Sequence, residues 1–465
     1  MYQESLNDTI SAISTPQGQG GIGIVRLSGK EALKIADKIF VAKNNKKPSS
    51  FSTYSVHYGK VIDANDDAQV IDEALIIVMK APKSYTAEDV VEISCHGGIA
   101  SLKKILSLTL ESGARLAQPG EFTKRAFLNG RMDLTQAEAV LDVIQAKTEA
   151  FLRTSVNQLK GDLTFELESI RELLMNVYIE IEAIVNFPED DIDTLSRQGL
   201  MDRIDSVIKR VDVLLLSSEQ GRIMKEGVKV VICGKPNVGK SSLLNVLLRT
   251  PRAIVSDVKG TTRDTIEEFA QIKGIPLQLV DTAGILHPRN SIEREAVRRS
   301  HLNIDQAELV LFMVDISERI SKEDQQIIDK IKGKNVIVVL NKSDKKMRAD
   351  VETIKKQLES SLQVKISAVN KQGIDVLEES LVRNILHGTE FQDSRIMISN
   401  VRQIESLKKC LFSIQNAKQH FFDQLSLEFV SEEIKLAIDF LDEITGKNIS
   451  QDLLDKIFSS FCIGK

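Results

Sequence analysis

Cysteine, long apolar runs and net charge are all scarce in this 465-residue sequence. The four cysteines, Cys95, Cys233, Cys410 and Cys462, are scattered, and none belongs to a C-x-x-C pair. That spacing argues against a disulfide framework or a zinc site and fits a reducing compartment. No apolar run reaches the ~18 residues that a membrane helix needs. These absences argue against a disulfide-stabilised, zinc-binding or membrane-spanning protein.

The charge balance is close to even, with a formal net charge of −5. Bulk charge therefore does not indicate a nucleic-acid partner, and any RNA contact would need a local basic patch. The first eight residues carry acids where a signal peptide would carry bases. We expect a cytoplasmic protein with no membrane partner, and the length suggests roughly three domains.

Residues 234–241, GKPNVGKS, match G-x-x-x-x-G-K-[ST], the phosphate-binding loop. The β-branched run at 228–232 predicts a buried strand before it, and residues 242–248 predict a helix after it. In that arrangement backbone N–H groups and a helix N-terminus point at phosphate. We therefore expect Lys240 to reach the outer phosphates and the Ser241 hydroxyl to bind Mg²⁺.

Four more segments follow in the order that a guanine-nucleotide domain requires. Residues 259–264 contain a switch threonine, and a strand ends in DTAG at 281–284, where Asp281 would hold Mg²⁺ through water. A third strand leads to NKSD at 341–344, and KISA at 365–368 fits a turn that contacts the base. An aspartate accepts two hydrogen bonds from guanine, whereas adenine offers no such donor pair. Together these segments predict binding of GTP rather than ATP.

The residue after DTAG is Ile285, where Ras-type switches place a glutamine that orients the attacking water. A hydrophobic side chain cannot position water, so hydrolysis needs another polar group. The nearby candidates are Arg289, Glu293, Arg294 and Glu295. Chemistry alone leaves all four open.

The first ~130 residues show an α+β pattern. Gly18, Gly20 and Gly23 fit G-x-G-x-x-G, but they run into a second strand pattern instead of opening a helix. We therefore expect a hairpin rather than a dinucleotide site. Strands are predicted at 10–14, 22–27, 54–59, 73–78 and 90–94, and helices at 30–40 and 99–111.

Helical periodicity appears on both sides of the nucleotide-binding segments. Two helical regions that flank a compact domain predict one bundle with that domain inserted in it. The apolar positions that recur at spacings of three and four are Leu134, Ala137, Leu141, Ile144, Ile204, Val207, Ile208, Val211, Leu214, Ile404, Leu407, Leu411 and Ile414.

The predicted fold class is multidomain. It combines an α+β N-terminal domain, an α-helical bundle and an inserted α/β P-loop domain of the Ras-like type. We expect the N-terminal domain at 1–120, the helical domain at 121–222 and 388–465, and the G domain at 223–387.

Several motifs beyond the P-loop match one family across essentially the whole chain. They are GKPNVGKSSLLN at 234–245, GTTRD at 260–264, PGEFT at 119–123, RAFLN at 125–129 and the segment IFSSFCIGK at 457–465. With these motifs the sequence resembles the MnmE (TrmE) family of tRNA-modification GTPases.

The resemblance implies that the chain forms a heterotetramer with the flavoprotein MnmG and acts with it on C5 of the wobble uridine of certain tRNAs. It would add a (carboxymethyl)aminomethyl-type group, taking the one-carbon unit from a 5-formyl or 5,10-methylene tetrahydrofolate on the N-terminal domain, which would also form a homodimer. Arg26, Glu92 and Arg131 match folate-contacting positions, and Lys465 would approach the same pocket. Cys462 matches a cysteine needed for modification.

The resemblance also implies that GTP is hydrolysed when two G domains meet across a K⁺ ion. Asn237, Ser256, Val258 and Thr261 would contribute to the K⁺ site, Thr262 would join Ser241 on Mg²⁺, and Glu293 would orient the water. The GTP-binding residues would be Asn237, Val238, Gly239, Lys240, Ser241, Ser242, Ser256, Asp257, Val258, Lys259, Gly260, Thr261, Thr262, Asp281, Thr282, Ala283, Gly284, Asn341, Lys342, Ser343, Asp344, Ser367 and Ala368.

Two other functions stay open at this point. The chain could be a regulatory or assembly GTPase, for example one that acts on ribosomes, or a scaffold whose G domain only gates dimerisation. Binding of a reduced folate would favour the tRNA-modifying enzyme, whereas co-sedimentation with ribosomal subunits would favour the assembly GTPase.

Overall fold

The structure is a computed structural model. It describes residues 7–16, 18–186, 197–248, 267–281, 298, 302–358, 361–388 and 396–465. The chain divides into two compact units. The first comprises Met1–Leu141, Gln158–Ser196 and Ser413–Lys465, and the second comprises Asp142–Asn157 and Arg197–Phe412.

A seven-stranded sheet forms the core of the first unit, in the order β3-β4-β5-β6-β2-β1-β7. Strands β1 and β2 are antiparallel, with Ile13 opposite Val25, so the predicted hairpin at the glycine-rich turn is confirmed. The bounds are β1 Ile10–Ile13, β2 Gly20–Ser28, β3 Phe40–Ala42, β4 Ser55–Asp63, β5 Gln69–Met79, β6 Val90–Gly97 and β7 Arg115–Leu116.

Helices α1 (Ala32–Ile39) and α2 (Ile99–Glu111) bury their apolar sides in one cluster with the strands of this sheet. Opposite the helices, the side chains of β4 and β5 remain accessible. Val56, Tyr58 and Leu75 are 55%, 46% and 44% exposed. The sheet therefore has one covered face and one that is open over these two strands.

Two long helices of the first unit run antiparallel to each other. Arg171 on α6 donates to Asp442 on α13, and eleven residues further along α6 Glu182 accepts from Ser431. These two helices belong to a group of eight described helices that follow α2 in the chain and lie outside the nucleotide-binding segments. Their bounds are α3 Glu121–Leu128, α4 Leu134–Gln145, α5 Glu149–Leu159, α6 Asp162–Asn186, α7 Arg197–Glu226, α12 Val401–Phe422, α13 Leu427–Thr445 and α14 Gln451–Ser459.

The predicted apolar stripes are largely confirmed. Leu134 and Ala137 are fully buried on α4, and the stripe on α7 is buried or half-buried at all five positions. The prediction for Ile144 is wrong, because this side chain is 45% exposed. The last turn of α4 instead buries Asp142, whose carboxylate accepts a hydrogen bond from Lys225 Nζ at 2.8 Å. A carboxylate that is paired with a lysine can be buried there, so the apolar pattern does not identify the buried residue of this turn.

A six-stranded sheet forms the core of the second unit, in the order β13-β12-β11-β8-β10-β9. All its pairs are parallel except β9 with β10. Two separate apolar clusters cover its two faces. Its elements are β8 Val228–Cys233, α8 Lys240–Leu248, β9 Glu267–Ile272, β10 Ile275–Asp281, β11 Leu309–Asp315, α9 Lys322–Ile331, β12 Val336–Asn341, α10 Val351–Gln357, β13 Leu362–Lys365 and α11 Ile374–Ile385.

This α/β domain lies in the chain between α7 and α12, so the multidomain fold with an inserted P-loop domain is confirmed. Within the described part of the chain, no helix has both the length and the apolar character needed to cross a bilayer.

Candidate functional site

The phosphate-binding motif has the strand–loop–helix geometry that its sequence predicts. Strand β8 ends at Cys233, and α8 begins at Lys240, two residues before the predicted start. Gly234 and Gly239 have φ angles of +153° and +103°. A Cβ at Gly239 would lie 2.4 Å from the side-chain nitrogen of Asn341. The loop therefore needs glycine for its backbone conformation and for its close approach to the Asn341 side chain at the end of β12.

Lys240 and Ser241 lie at the start of α8 beside the end of β10. Lys240 Nζ donates to the carbonyls of Gly234 and Lys235 at 3.1 and 3.2 Å. Burial lowers the pKa of Lys240, and the nearby charge of Asp281 partly opposes that shift. An ammonium group beside backbone carbonyls can turn to a phosphate ligand without breaking an ion pair.

The carboxylate of Asp281 fits a hydrated divalent cation. Its Oδ2 accepts from the Ser241 hydroxyl at 3.2 Å. Its Oδ1 is buried and has no hydrogen-bond partner among the described residues. Such an oxygen needs a water or a cation to satisfy it. Because Mg²⁺ in nucleotide sites keeps waters and uses few protein ligands, this pair suits Mg²⁺ held jointly with phosphate oxygens.

Asn341 joins the phosphate loop to the segment predicted to contact the base. Its side chain is buried at the end of β12, where Nδ2 donates to the Val238 carbonyl at 2.7 Å. Its Oδ1 accepts from the Ala368 backbone N–H at 3.0 Å. One amide therefore connects residues separated by more than a hundred positions.

The predicted base-reading carboxylate is already oriented by a neighbour. The Ser367 hydroxyl donates to Asp344 Oδ1 at 2.6 Å. This hydrogen bond is the main reason that the pKa of Asp344 lies below its ordinary value. Asp344 is exposed, so its carboxylate is ionised and accessible to the N–H groups of guanine.

Asp315 is a site residue that sequence reasoning missed. Its Oδ2 accepts from Lys342 Nζ at 2.5 Å. Burial alone would raise the pKa of Asp315, but hydrogen bonds from Lys342 and Ser317 outweigh burial and lower it. The position at the carboxyl end of β11, next to the P-loop strand, could have identified it, since ligands of parallel α/β sheets bind at this edge.

The remaining predicted positions divide into described and undescribed ones. Asn237 is exposed with φ +63°, Ser242 is exposed on the first turn of α8, and the Ser343 backbone N–H donates to the Ile366 carbonyl at 3.0 Å. The predictions for Ser256, Asp257, Val258, Lys259, Gly260, Thr261, Thr262, Thr282, Ala283, Gly284 and Glu293 lie outside the described residues.

A second cluster forms in the first unit from residues far apart in sequence. Arg26 on β2 donates from Nε to Glu92 Oε1 on β6 at 2.7 Å, as expected for directly opposed positions of paired strands. Arg26 Nη1 also donates to the Gly464 carbonyl at 3.2 Å. The Lys465 carbonyl in turn accepts from the Phe122 backbone N–H at 3.1 Å. The segment that contains Gly464 and Lys465 therefore lies against the sheet beside this ion pair.

Arg131 completes this cluster through an aromatic ring. The guanidinium carbons of Arg131 and Arg26 lie 4.9 and 5.6 Å from the ring centroid of Tyr85. All four positions predicted for the folate pocket are thus in one region of the first unit. Tyr85 is a further member that no pattern in the sequence identified.

Cys462 lies in the same terminal segment. Its side chain is exposed, and its carbonyl accepts from the backbone N–H groups of Gly120 and Lys465, both at 3.3 Å. These hydrogen bonds hold the backbone of the segment and leave the thiol accessible.

Two family models together match nearly the whole chain. A model described as the MnmE helical domain matches residues 134–462, and one described as the GTP-binding protein TrmE N-terminus matches residues 9–131.

Two relatives described as tRNA modification GTPase MnmE come from Desulforamulus reducens and Clostridioides difficile. The first is 44% identical over 461 residues, and the alignment covers 99% of this chain and 100% of the relative. The second is 44% identical over 460 residues with the same two coverages. A solved structure of an Aquifex aeolicus Era variant bound to GDP.AlF4- is 31% identical, covers 40% of this chain and 66% of that chain, and has a TM-score of 0.29.

Proposed function

Because this chain belongs to the tRNA modification GTPase MnmE family, it is a GTPase of tRNA modification, and we propose how its sites divide that work. The second unit binds and hydrolyses GTP. The first unit holds a tetrahydrofolate derivative as the one-carbon source. Together with MnmG, the chain adds a (carboxymethyl)aminomethyl-type group to C5 of the wobble uridine.

The connection through Asn341 is the observation that carries the nucleotide part. It holds the phosphate loop and the base-contacting turn in one fixed arrangement. A nucleotide that binds there must therefore fit the loop with its phosphates and the turn with its base at the same time. Lys240 binds the outer phosphates, and Ser241 with Asp281 would hold Mg²⁺, which offsets phosphate charge when bound. Asp344 accepts hydrogen bonds from guanine.

Base discrimination tests this assignment. Asp344→Ala removes a charged acceptor of two hydrogen bonds, each worth about 1.5–3 kcal/mol. We expect GTP affinity to fall by at least tenfold in calorimetry, with the preference over ATP reduced. Asp329→Ala on α9 is the matched control, because that aspartate is exposed in the same unit but away from the nucleotide site. Equal GTP affinity in the Asp344 variant would contradict the assignment.

Hydrolysis would use groups on the exposed rim of the loop. Asn237 is accessible, and its side chain has no hydrogen-bond partner among the described residues, so it is free to serve as a K⁺ ligand with Ser256, Val258 and Thr261. K⁺ there would offset charge between the β- and γ-phosphates. Glu293 would orient the water.

Two measurements separate these roles. Replacing K⁺ by Na⁺ should sharply slow GTP hydrolysis, and equal rates in both salts would remove the cation from the proposal. Glu293→Ala should depress turnover while GTP affinity stays unchanged. Full turnover in that variant would assign the water to another residue.

A homodimer is supported by the open face of the seven-stranded sheet. Val56, Tyr58 and Leu75 are large apolar side chains that stand exposed on β4 and β5. A second copy of this chain would bury them. Tyr58→Lys should shift the mass in sedimentation toward the monomer, and an unchanged mass would argue against this face.

Folate binding is supported by the charges around Arg26. Glu92 pairs with Arg26, whereas Arg131 has no carboxylate partner among the described residues. Arg131 therefore leaves the cluster with excess positive charge suited to a ligand with carboxylate groups. Calorimetry with 5-formyl-tetrahydrofolate should detect binding that Arg131→Met weakens.

Deletion of the gene should leave the wobble uridine unmodified. Restoring the gene as Cys462→Ser should fail to restore the modification if the exposed thiol takes part. Fully modified tRNA in the deletion strain would refute the function, and co-sedimentation with ribosomal subunits instead would favour an assembly GTPase.

A further inference from the structure

Tyr85 lies next to two guanidinium groups that come from different parts of the fold. Arg26 is on β2 and Arg131 follows α3, yet both have their guanidinium carbons within 6 Å of the same ring centroid, at 5.6 and 4.9 Å. This distance is the range of a cation–π contact. The Tyr85 ring is therefore next to both cations, whereas the Phe122 ring, also 5.6 Å from the Arg26 guanidinium carbon, contacts Arg26.

The ring of Tyr85 is fixed by its own surroundings. Its hydroxyl shares a hydrogen bond of 2.9 Å with Thr123 Oγ1 on α3, and Thr123 is fully buried. The ring also packs against two apolar clusters. One contains Phe458 and Phe461, near the terminal segment, and the other contains Phe122. Tyr85 therefore joins the terminal segment and the sheet at the point where Arg26 holds Gly464.

The two guanidinium groups next to the ring are not equally neutralised. Arg26 is mostly buried and is neutralised by Glu92 at 2.7 Å. Arg131 is exposed, and within the described residues its guanidinium lies next to the Tyr85 ring and has no hydrogen bond or ion pair. An aromatic face orients a cation without neutralising it, because the ring carries no net charge. Arg131 consequently keeps its full charge for an anionic ligand.

We propose that Tyr85 is a positioning residue of the folate site, on which this inference rests. Its ring holds Arg26 and Arg131 at a set separation, so that Arg131 presents an unneutralised guanidinium to a carboxylate of the ligand. A purely structural role would instead make Tyr85 important for stability and indifferent to ligand charge.

The experiment compares wild type, Tyr85→Phe and Tyr85→Leu in the full chain by calorimetry. The probes are 5-formyl-tetrahydrofolate and a reduced pterin that lacks the glutamate carboxylates. Tyr85→Leu should weaken the folate by at least tenfold, which corresponds to about 1.4 kcal/mol, and the pterin by less than threefold. Tyr85→Phe keeps the ring and should restore folate affinity to within threefold of wild type.

A double-mutant cycle distinguishes positioning from packing. In the Arg131→Met background, Tyr85→Leu should cause little further loss of folate affinity, because the cation that it positions is gone. Equal losses for folate and pterin, or additive losses in the cycle, would overturn the inference.

The outcome for wild type separates this inference from the function on which it rests. If wild type binds no folate, the proposed folate site fails. If wild type binds folate and Tyr85→Leu binds it equally well, only the role of Tyr85 fails. Should Tyr85→Leu not fold, Tyr85→Met serves as the second ring-deleting variant with the same criteria.

Discussion

Asn341→Ala should weaken the nucleotide-binding domain and its affinity for GTP together. The side chain is 2% exposed, and its two hydrogen bonds go to the backbone of Val238 and Ala368, which are 0% and 5% exposed. Truncation leaves one carbonyl and one N–H buried without partners. Each such group costs about 1–3 kcal/mol, so we expect a combined loss of about 2–6 kcal/mol.

Asn341→Asp sharpens the test because it changes only one of the two contacts. The carboxylate can still accept from the Ala368 N–H, but its second oxygen would face the Val238 carbonyl, where nitrogen now donates. An acceptor opposed to an acceptor in a buried site is unfavourable, so this variant should be at least as unstable as Asn341→Ala. Asn370→Ala, at an exposed position of the same turn, is the matched control.

Hydrogen exchange measured by mass spectrometry is the suitable assay, because it resolves local opening within a multidomain chain. Peptides from β8 and β12 should exchange faster in both Asn341 variants and at the wild-type rate in the control. GTP affinity should fall in parallel. Unchanged exchange in these strands together with GTP affinity within twofold of wild type would refute the reasoning.

Three further predictions concern other parts of the molecule. The hydrogen bond that His96 Nδ1 donates to Asp72 raises the pKa of His96, so its NMR titration midpoint should lie above 6.5. The stability that the pair contributes is present at lower pH and is lost as pH rises through that midpoint. In the Asp72→Asn variant the midpoint should return toward 6.5, and an unchanged midpoint would contradict the assignment. Gly234→Ala would place a Cβ 2.5 Å from a backbone carbonyl oxygen. Because so close a contact would strain the phosphate-binding loop, calorimetry should show that GTP binding is weaker by at least about tenfold. Lys147 Nζ lies 3.9 Å from the ring centroid of Phe269 on β9. Lys147→Met should therefore change the free energy of opening of β9, measured by hydrogen exchange, by no more than ~1 kcal/mol. A larger change would contradict this estimate of the contact.

The parts of the fold that the sequence predicts well are those set by local patterns. Strand β8, the loop and α8 follow one another without interruption, so turn chemistry and periodicity suffice. Helix α2 begins and ends at the predicted residues, 99 and 111. In these segments burial and local propensity favour the same secondary structure, so long-range contacts do not change the one that the sequence predicts.

Predictions failed or were incomplete where a distant partner decides. Ile144 belongs to a regular apolar stripe, yet the ion pair between Asp142 and Lys225 takes the buried position on that turn. Tyr85 has no sequence signature at all, because its importance comes from Arg26 and Arg131, which only the fold brings together. Single-sequence patterns do not record such contacts.

The hydrogen bond between Arg26 and Gly464 spans 438 positions, which has a consequence for biosynthesis. At a typical translation speed of ~5–20 residues per second, the ribosome needs roughly 20–90 s to add those residues. Arg26 therefore lacks its contact with Gly464 while the entire nucleotide-binding insertion is translated. This contact can form only after residue 464 has been added, so chains truncated before Gly464 lack it.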